Sequence, residues 1–414
     1  ETLALNADTS AGISARGMAM SVNDALTATV GSATTVTSTD VNVDAGDDIT
    51  LSGVDAAKVE MATVQVTTAS GLTAEVGTET SVVSQALKVD VVSDTKVSTA
   101  DMALEASGTM SVSGQESLTV SAGTVALDAA QDGTIRMGGD AVLAAGDGIR
   151  MASVTALDVV TGGTASVISN ELDVSVDSAV RGSMDSLSVG VSDDATVSVG
   201  DDLTVNAKDV RVRGEGDFDL RTSGAGTVSS NSVDMSVDAG LSVSAGGAVG
   251  ITSASVDVSS STSVAVSTGS LSLDSAAATE VFSGTSLTAT TTTLEAHSAE
   301  DTALTAGGRV TTTSADATVN VGDTLDVSAA NTRVRNSGVV DVFAKEGTRL
   351  TSTDMAMSVG DEVQILGGNE VVLTTETLAL NADTSAGISA RGMAMSVNDA
   401  LTATVGSATT VTST

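Results

Sequence analysis

Apolar and polar residues alternate along almost the whole chain, in short runs closed by Gly, Asp, Asn or Ser. From Met18 the text divides into MAMSVNDA, LTATVGSA and TTVTSTD, then VNVDAGDD, ITLSGVDA and AKVEMAT, then VQVTTASG, LTAEVGTE and TSVVSQA. An apolar–x–apolar core followed by turn formers is the grammar of strand and turn. Its period of two differs from the 3.6-residue spacing of a helix face. The pieces hold 8, 8 and 7 residues, so the pattern closes on itself every 23.

That period sorts the apolar residues into columns. Met18, Val41, Val64 and Leu87 form one, and Met20, Val43, Val66 and Val89 lie beside it. Leu26, Ile49 and Leu72 form another, and Val36, Val59 and Val82 a fourth. Further on, Leu187, Val210, Val233 and Val256 repeat the spacing, flanked by Val189, Val212, Met235 and Val258 and followed by Ala195, Phe218, Leu241 and Val264. Equivalent strands at constant spacing and in one direction predict an all-β parallel β-solenoid. The expected form is a three-walled β-helix with coils of about 23 residues and rungs ~4.8 Å apart. β-branched Val and Thr suit such a half-buried pleated surface. Ser and Thr are expected to point outwards, with Ala or Gly in the narrow corners and the thirteen Met as core filler.

Two features depart from the period. Leu157, Leu172 and Leu187 lie 15 apart, as do Leu87 and Met102, which suggests that whole strands are dropped. From about Ala277 to Asp301 the register blurs, which suggests a change of cross-section. Both a single-chain coil and a β-helix whose rungs are shared between several chains satisfy these spacings.

A longer repeat lies over the short one. Residues 1–39 return unchanged as residues 376–414, an offset of 375. Residues 1–375 are therefore expected to be one complete unit of a tandem array, a continuous solenoid of about 16 coils. Residues 376–414 then open the next identical unit.

The runs MSVSGQESLTVSAGT (Met110–Thr124) and ATVSVGDDLTVNAKD (Ala195–Asp209) resemble the octapeptide stalks of phage cell-puncturing needles and type VI secretion spikes. In those proteins three chains wind into a triangular β-prism. Here glycine moves within the unit and sevens interleave with eights. As a whole the chain resembles the long repetitive β-solenoid proteins of surface fibres and appendages. That resemblance implies a structural building block of a long extracellular or cell-surface filament, such as a flagellar hair, that self-assembles with further copies of the repeat. The alternative is the stalk of a phage tail fibre or surface adhesin whose binding tip lies elsewhere.

Composition sharpens the picture. Proline is absent, and Pro lacks the N–H that a sheet ladder uses. Cysteine is absent too, so there are no disulfides and no thiolate metal site. The net charge of −36 argues against nucleic acid or an anionic membrane as partner. No apolar run approaches the ~20 residues of a membrane helix.

Candidate chemistry is sparse. His297 is the only histidine, and no G-x-S-x-G elbow surrounds any serine, so no catalytic triad is expected. Paired acids recur at turns (Asp47–Asp48, Asp193–Asp194, Asp201–Asp202) without an RTX or EF-hand pattern. They read as turn formers, with weak non-specific binding of divalent cations such as calcium. Carbohydrate-active β-helices need aromatic platforms, and this chain has three Phe and no Trp or Tyr. No enzyme activity, small-molecule substrate, dedicated cofactor or metal site is therefore expected. Arg211, Arg213, Arg333 and Arg335 alternate with apolar residues and are expected to point outwards into inter-rung ion pairs, such as Arg211 with Asp234 and Lys208 with Asp185. Thr27, Thr50 and Thr73 form a ladder that invites an ice-binding reading. Its companion column is Thr29, Ser52 and Glu75, which leaves no flat two-column Thr array.

Overall fold

The computed structural model describes the backbone of residues 3–7, 11–22, 26–30, 34–45, 49–53, 57–68, 72–321, 323–405 and 408–413, with side chains mainly from residue 80 onwards. It is an all-β parallel β-solenoid, and no helix occurs among the described residues. Two compact units are distinguished, residues 1–208 and 209–414.

In the first unit, Leu3–Ala7 lies parallel to Leu26–Val30, which lies on Ile49–Gly53, which lies on the start of Leu72–Ser84. The longer strands Ala11–Val22, Thr34–Ala45 and Ala57–Thr68 stack in the same way. Each residue pairs with its equivalent one coil on, as in Val43↔Val66 and Ile49↔Leu72, a separation of 23. The step lengthens to 24 at Ala141↔Ala165 and shortens to 22 at Thr164↔Ser186, so a local insertion is cancelled within the next coil. The second unit behaves alike, with Val210↔Val233↔Val256 and Phe218↔Leu241↔Val264 in register.

Not every seven- or eight-residue piece is a separate strand. TTVTSTD runs without a turn into VNVDA as the single strand Thr34–Ala45. Its ladder skips one residue: Ser38 pairs with Ala15 and Asp40 with Gly17, leaving Thr39 at the corner. A coil thus bends there through one residue, where the other pieces use a turn of several.

Alternation decides which side chains go inside. In Glu171–Val176, Leu172, Val174 and Val176 are buried while Glu171, Asp173 and Ser175 are exposed. In the second unit Val363 and Val371 are fully enclosed. Enclosing a Val side chain contributes roughly 1.5–3 kcal/mol, and only stacking supplies the enclosure, since a single coil has no second layer.

Three expectations need correction. The 15-residue steps do not drop strands. Leu157 pairs with Val180, Leu172 with Ala195 and Ala165 with Leu187, so the three leucines sit in different columns of coils that remain complete. Fifteen residues is two strand pieces, which carries the chain on to another column. The stretch from Ala277 to Asp301 also keeps its register, with Val264↔Leu287, Thr279↔Thr302 and Thr293↔Asp316 all 23 apart. Its pattern blurs because Thr and Ala take inward places there.

The third correction concerns Ser and Thr, many of which point inwards. Ser253, Ser275 and Ser298 stack in three consecutive rungs, all buried. Ser253 Oγ donates to Ser255 O at 2.7 Å. The hydroxyls of Ser275 and Ser298 reach carbonyls both in their own corner and one rung below, with Ser298 Oγ 2.6 Å from Ala277 O and 3.3 Å from Asp301 O. Ser283 and Thr375 make the same two contacts. The Ala277 and Asp301 carbonyls also accept from the backbone N–H groups of Glu300 and Thr279, so the Ser298 hydroxyl takes a second lone pair of each. A short buried hydroxyl is thereby satisfied in the narrow corner. Glycine serves corners where no side chain fits. A Cβ at Gly138 would collide with the Gln115 carbonyl, and one at Gly162 with the Gly138 carbonyl. No positive φ is involved among the described residues, so stacking space and not backbone strain selects glycine here.

Candidate functional surface

The turn aspartates are the most organised polar groups of the molecule, and what they organise is the solenoid. Asp301 shows how. Its main-chain carbonyl accepts from Thr279 N of the rung below (2.9 Å), and its Oδ1 accepts from Thr324 N of the rung above (3.0 Å). Asp140 accepts from Thr164 N at 2.7 Å, Asp217 from Gly240 N at 2.7 Å and Asp316 from Val339 N at 3.1 Å. Asp94 takes both the backbone N and, at 2.5 Å, the hydroxyl of Ser117. Backbone N–H groups at the start of a strand lack a ladder partner, and a carboxylate one rung below supplies it. Sequence reading recognised these residues only as turn formers. The signal was present as an Asp at position i with the residue it staples at i+23 or i+24.

The paired acids join rungs through their main chain. Asp193 N donates to Asn170 O and Asp201 N to Ser178 O (both 2.8 Å), while the carbonyls of Asp194 and Asp202 accept from Leu172 N and Val180 N. All four are exposed. Asp47–Asp48 lies outside the described residues. Among the described residues, no group of three His, Asp or Glu converges as a metal ligand set.

Outward columns carry the charge. Two expected ion pairs form, Arg211 with Asp234 at 3.5 Å and Lys208 with Asp185 at 3.2 Å. Both are largely exposed, and such pairs contribute about 0–1 kcal/mol. The expectation does not extend to Arg213, Arg333 and Arg335. Arg213 faces Ser236 across the ladder, Arg333 faces Thr311 and Ala356, and Arg335 faces Thr313 and Ser358, all uncharged. Above Arg211 the column runs Asp234, Asp257, Glu280 on successive rungs. Desolvation, then the charges of Asp234 and Glu280, push the Asp257 carboxyl above its ordinary range. Asp90 is the opposite case. Partial burial opposes its charge, but Lys88 (2.5 Å) and the Ser113 hydroxyl hold the carboxyl below its ordinary range. The Ser117 hydroxyl does the same for Asp94.

His297 sits on an exposed column between Asp274 and Asn320, and its Nδ1 lies 3.3 Å from the Asn320 amide. The adjacent Ser298 turns inwards, so the two do not form a nucleophile–base pair. Thr27, Thr50 and Thr73 stack in register, with Thr29, Ser52 and Glu75 as the companion column. The side chains of Thr27 and Thr50 lie outside the described residues.

Each unit also encloses a narrow apolar gap. In the first it measures about 250 Å³ and is lined by Ile49, Leu87, Met102 and Leu118 among others. In the second it is about 170 Å³, lined by residues such as Val249, Val264 and Leu271. These gaps offer an apolar lining and almost no polar group to orient a ligand. Comparison with family models, curated proteins and solved structures finds no match to this chain.

Proposed function

We propose that this protein is a structural building block of a long, unbranched extracellular or cell-surface filament, built by tandem copies of the 375-residue repeat. The observation that carries the reading is the ladder itself. Within each unit, coil follows coil at about 23 residues, and the polar groups at the corners are spent on joining rungs. Three straight ladder segments per coil, such as Leu26–Val30 and the two halves of Thr34–Ala45, support a three-walled cross-section. Return of residues 1–39 at residue 376 supports growth by repetition at constant cross-section. The dispersed, mostly rung-to-rung chemistry of the acids supports a scaffold in place of an enzyme. Its partners on this reading are further copies of the same repeat.

The test is fibre diffraction or electron microscopy of the purified protein and of its native assembly. Filaments with a ~4.8 Å axial spacing and strands perpendicular to the long axis are expected. Globular particles, or filaments without that spacing, would refute the proposal. A stalk ending in a distinct binding tip would show as a terminal knob on an otherwise uniform fibre.

A further inference from the structure

The 375-residue offset is not a whole multiple of the coil length found within each unit. In the first unit, eight ladder steps carry Leu3 to Leu187, so the mean step equals that from Val43 to Val66. In the second, eight steps carry Val210 to Met393, one residue short of eight such steps. The irregular steps therefore do not accumulate in either unit. The repeat offset, from Leu3 to Leu378, amounts to about 16 coils and a remainder of about seven. Seven residues is one strand piece, close to a third of a coil.

The second unit shows what that remainder does locally. Leu378 is the repeat equivalent of Leu3. Seven residues before it, Val371 belongs to the column of Val210 and Val233. Leu378 belongs to the next column in chain order, that of Phe218 and Leu241, which it joins through Met355. Val371 and Leu378 occupy the two halves of one strand, Glu370–Ala382, on either side of its corner. The local pairing of the two copies is nonetheless the same: Leu3↔Leu26 and Leu378↔Leu401, Ile13↔Val36 and Ile388↔Val411. The rung pairing of this sequence is thus the same in each unit.

We infer that successive 375-residue repeats enter the solenoid one wall later each time, so that a given surface feature returns to the same wall only every third repeat. This rests on the filament reading above. Outward columns such as Arg211–Asp234–Asp257–Glu280 would then face three directions in turn along the filament. A filament so built has no single charged face, and lateral contacts with a second copy are distributed around the axis.

The experiment is a cryo-EM reconstruction of the 414-residue chain that resolves the walls, followed by helical reconstruction of the native filament. Following the ladder upward from Leu3, the expected arrival is Val371 and then Met393. In the filament, the operator relating neighbouring repeats should have a rise of ~78 Å, from about 16.3 coils at ~4.8 Å. Its rotation should be a third of a turn added to the accumulated twist of the sheets. Arrival at Leu378 on the wall of Leu3 would overturn this inference while leaving the filament reading intact. A particle without a continuous ladder would overturn both.

Discussion

Val233 offers the sharpest test of the inward–outward assignment. Its side chain is 2% exposed and is stacked between Val210 and Val256, which are equally enclosed. Val233→Ala removes two carbon groups at ~0.8 kcal/mol each. With the gap left behind, the cost becomes about 2–3 kcal/mol. Val233→Asp places a carboxylate in the same apolar column and costs several kcal/mol, since nothing inside can pair with it. The next residue, Asp234, points outwards between Arg211 and Asp257, one opposite and one like charge. Asp234→Ala should therefore change local stability by no more than ~0.5 kcal/mol. A stacked repeat protein opens locally and is poorly served by a single unfolding free energy. Hydrogen–deuterium exchange of peptides covering the strands Ser232–Val237 and Ser255–Ser260 is the suitable assay. At ~1.4 kcal/mol per tenfold, Val233→Asp should accelerate exchange by about a hundredfold or more and Asp234→Ala by about threefold at most. Equal acceleration by the two variants would refute the assignment of faces.

The polar groups give further expected outcomes. Asp301→Ala should loosen the start of the strand above by about 1 kcal/mol, seen as faster exchange around Thr324, whereas Asp301→Asn keeps an acceptor oxygen and should lose less. Asp257→Asn should stabilise the second unit at pH 7 by a few tenths to about 1 kcal/mol, and a lower melting temperature for the variant would contradict the like-charge column. Because the folded-state carboxyl of Asp257 is raised, its penalty is complete above that raised value and fades as pH falls towards 3.8. Asp90 and Asp94 are lowered, so their contribution is complete above 3.8 and is lost as pH falls through their lower values. Circular-dichroism melts of Asp257→Asn and Asp90→Asn from pH 7 to below 3.8 should show those opposite trends. With 53 acids facing 17 bases, side-by-side bundling should rise with Ca²⁺, with ionic strength, and as pH falls towards 4. Bundling that light scattering finds strongest in low salt at pH 8 without divalent ions would show that repulsion is not what keeps filaments apart.

Much of this architecture was legible in the chain alone. Alternation at two, closure at 23 and the return at 375 are one-dimensional facts. A parallel stack translates them directly, because each residue meets its equivalent one coil away. That is why Val43↔Val66, Thr27↔Thr50 and the Arg211–Asp234 and Lys208–Asp185 pairs could be read as spacings. What spacing could not decide is the geometry of the corners. Whether a seven-residue piece ends in a turn or runs on through Thr39 depends on how the backbone bends over the rung beneath it. Whether Ser275 faces water or a pair of carbonyls depends on which carbonyls the closed corner brings within its reach. The 15-residue leucine steps misled for the same reason, since only closure of the coil shows that two strand pieces lead to another column. The turn aspartates likewise became rung-to-rung staples only once the next strand's N–H lay above them. Sequence periodicity determined which residues stack; three-dimensional closure decided which backbone N–H groups and carbonyls came within reach of Asp, Ser and Thr.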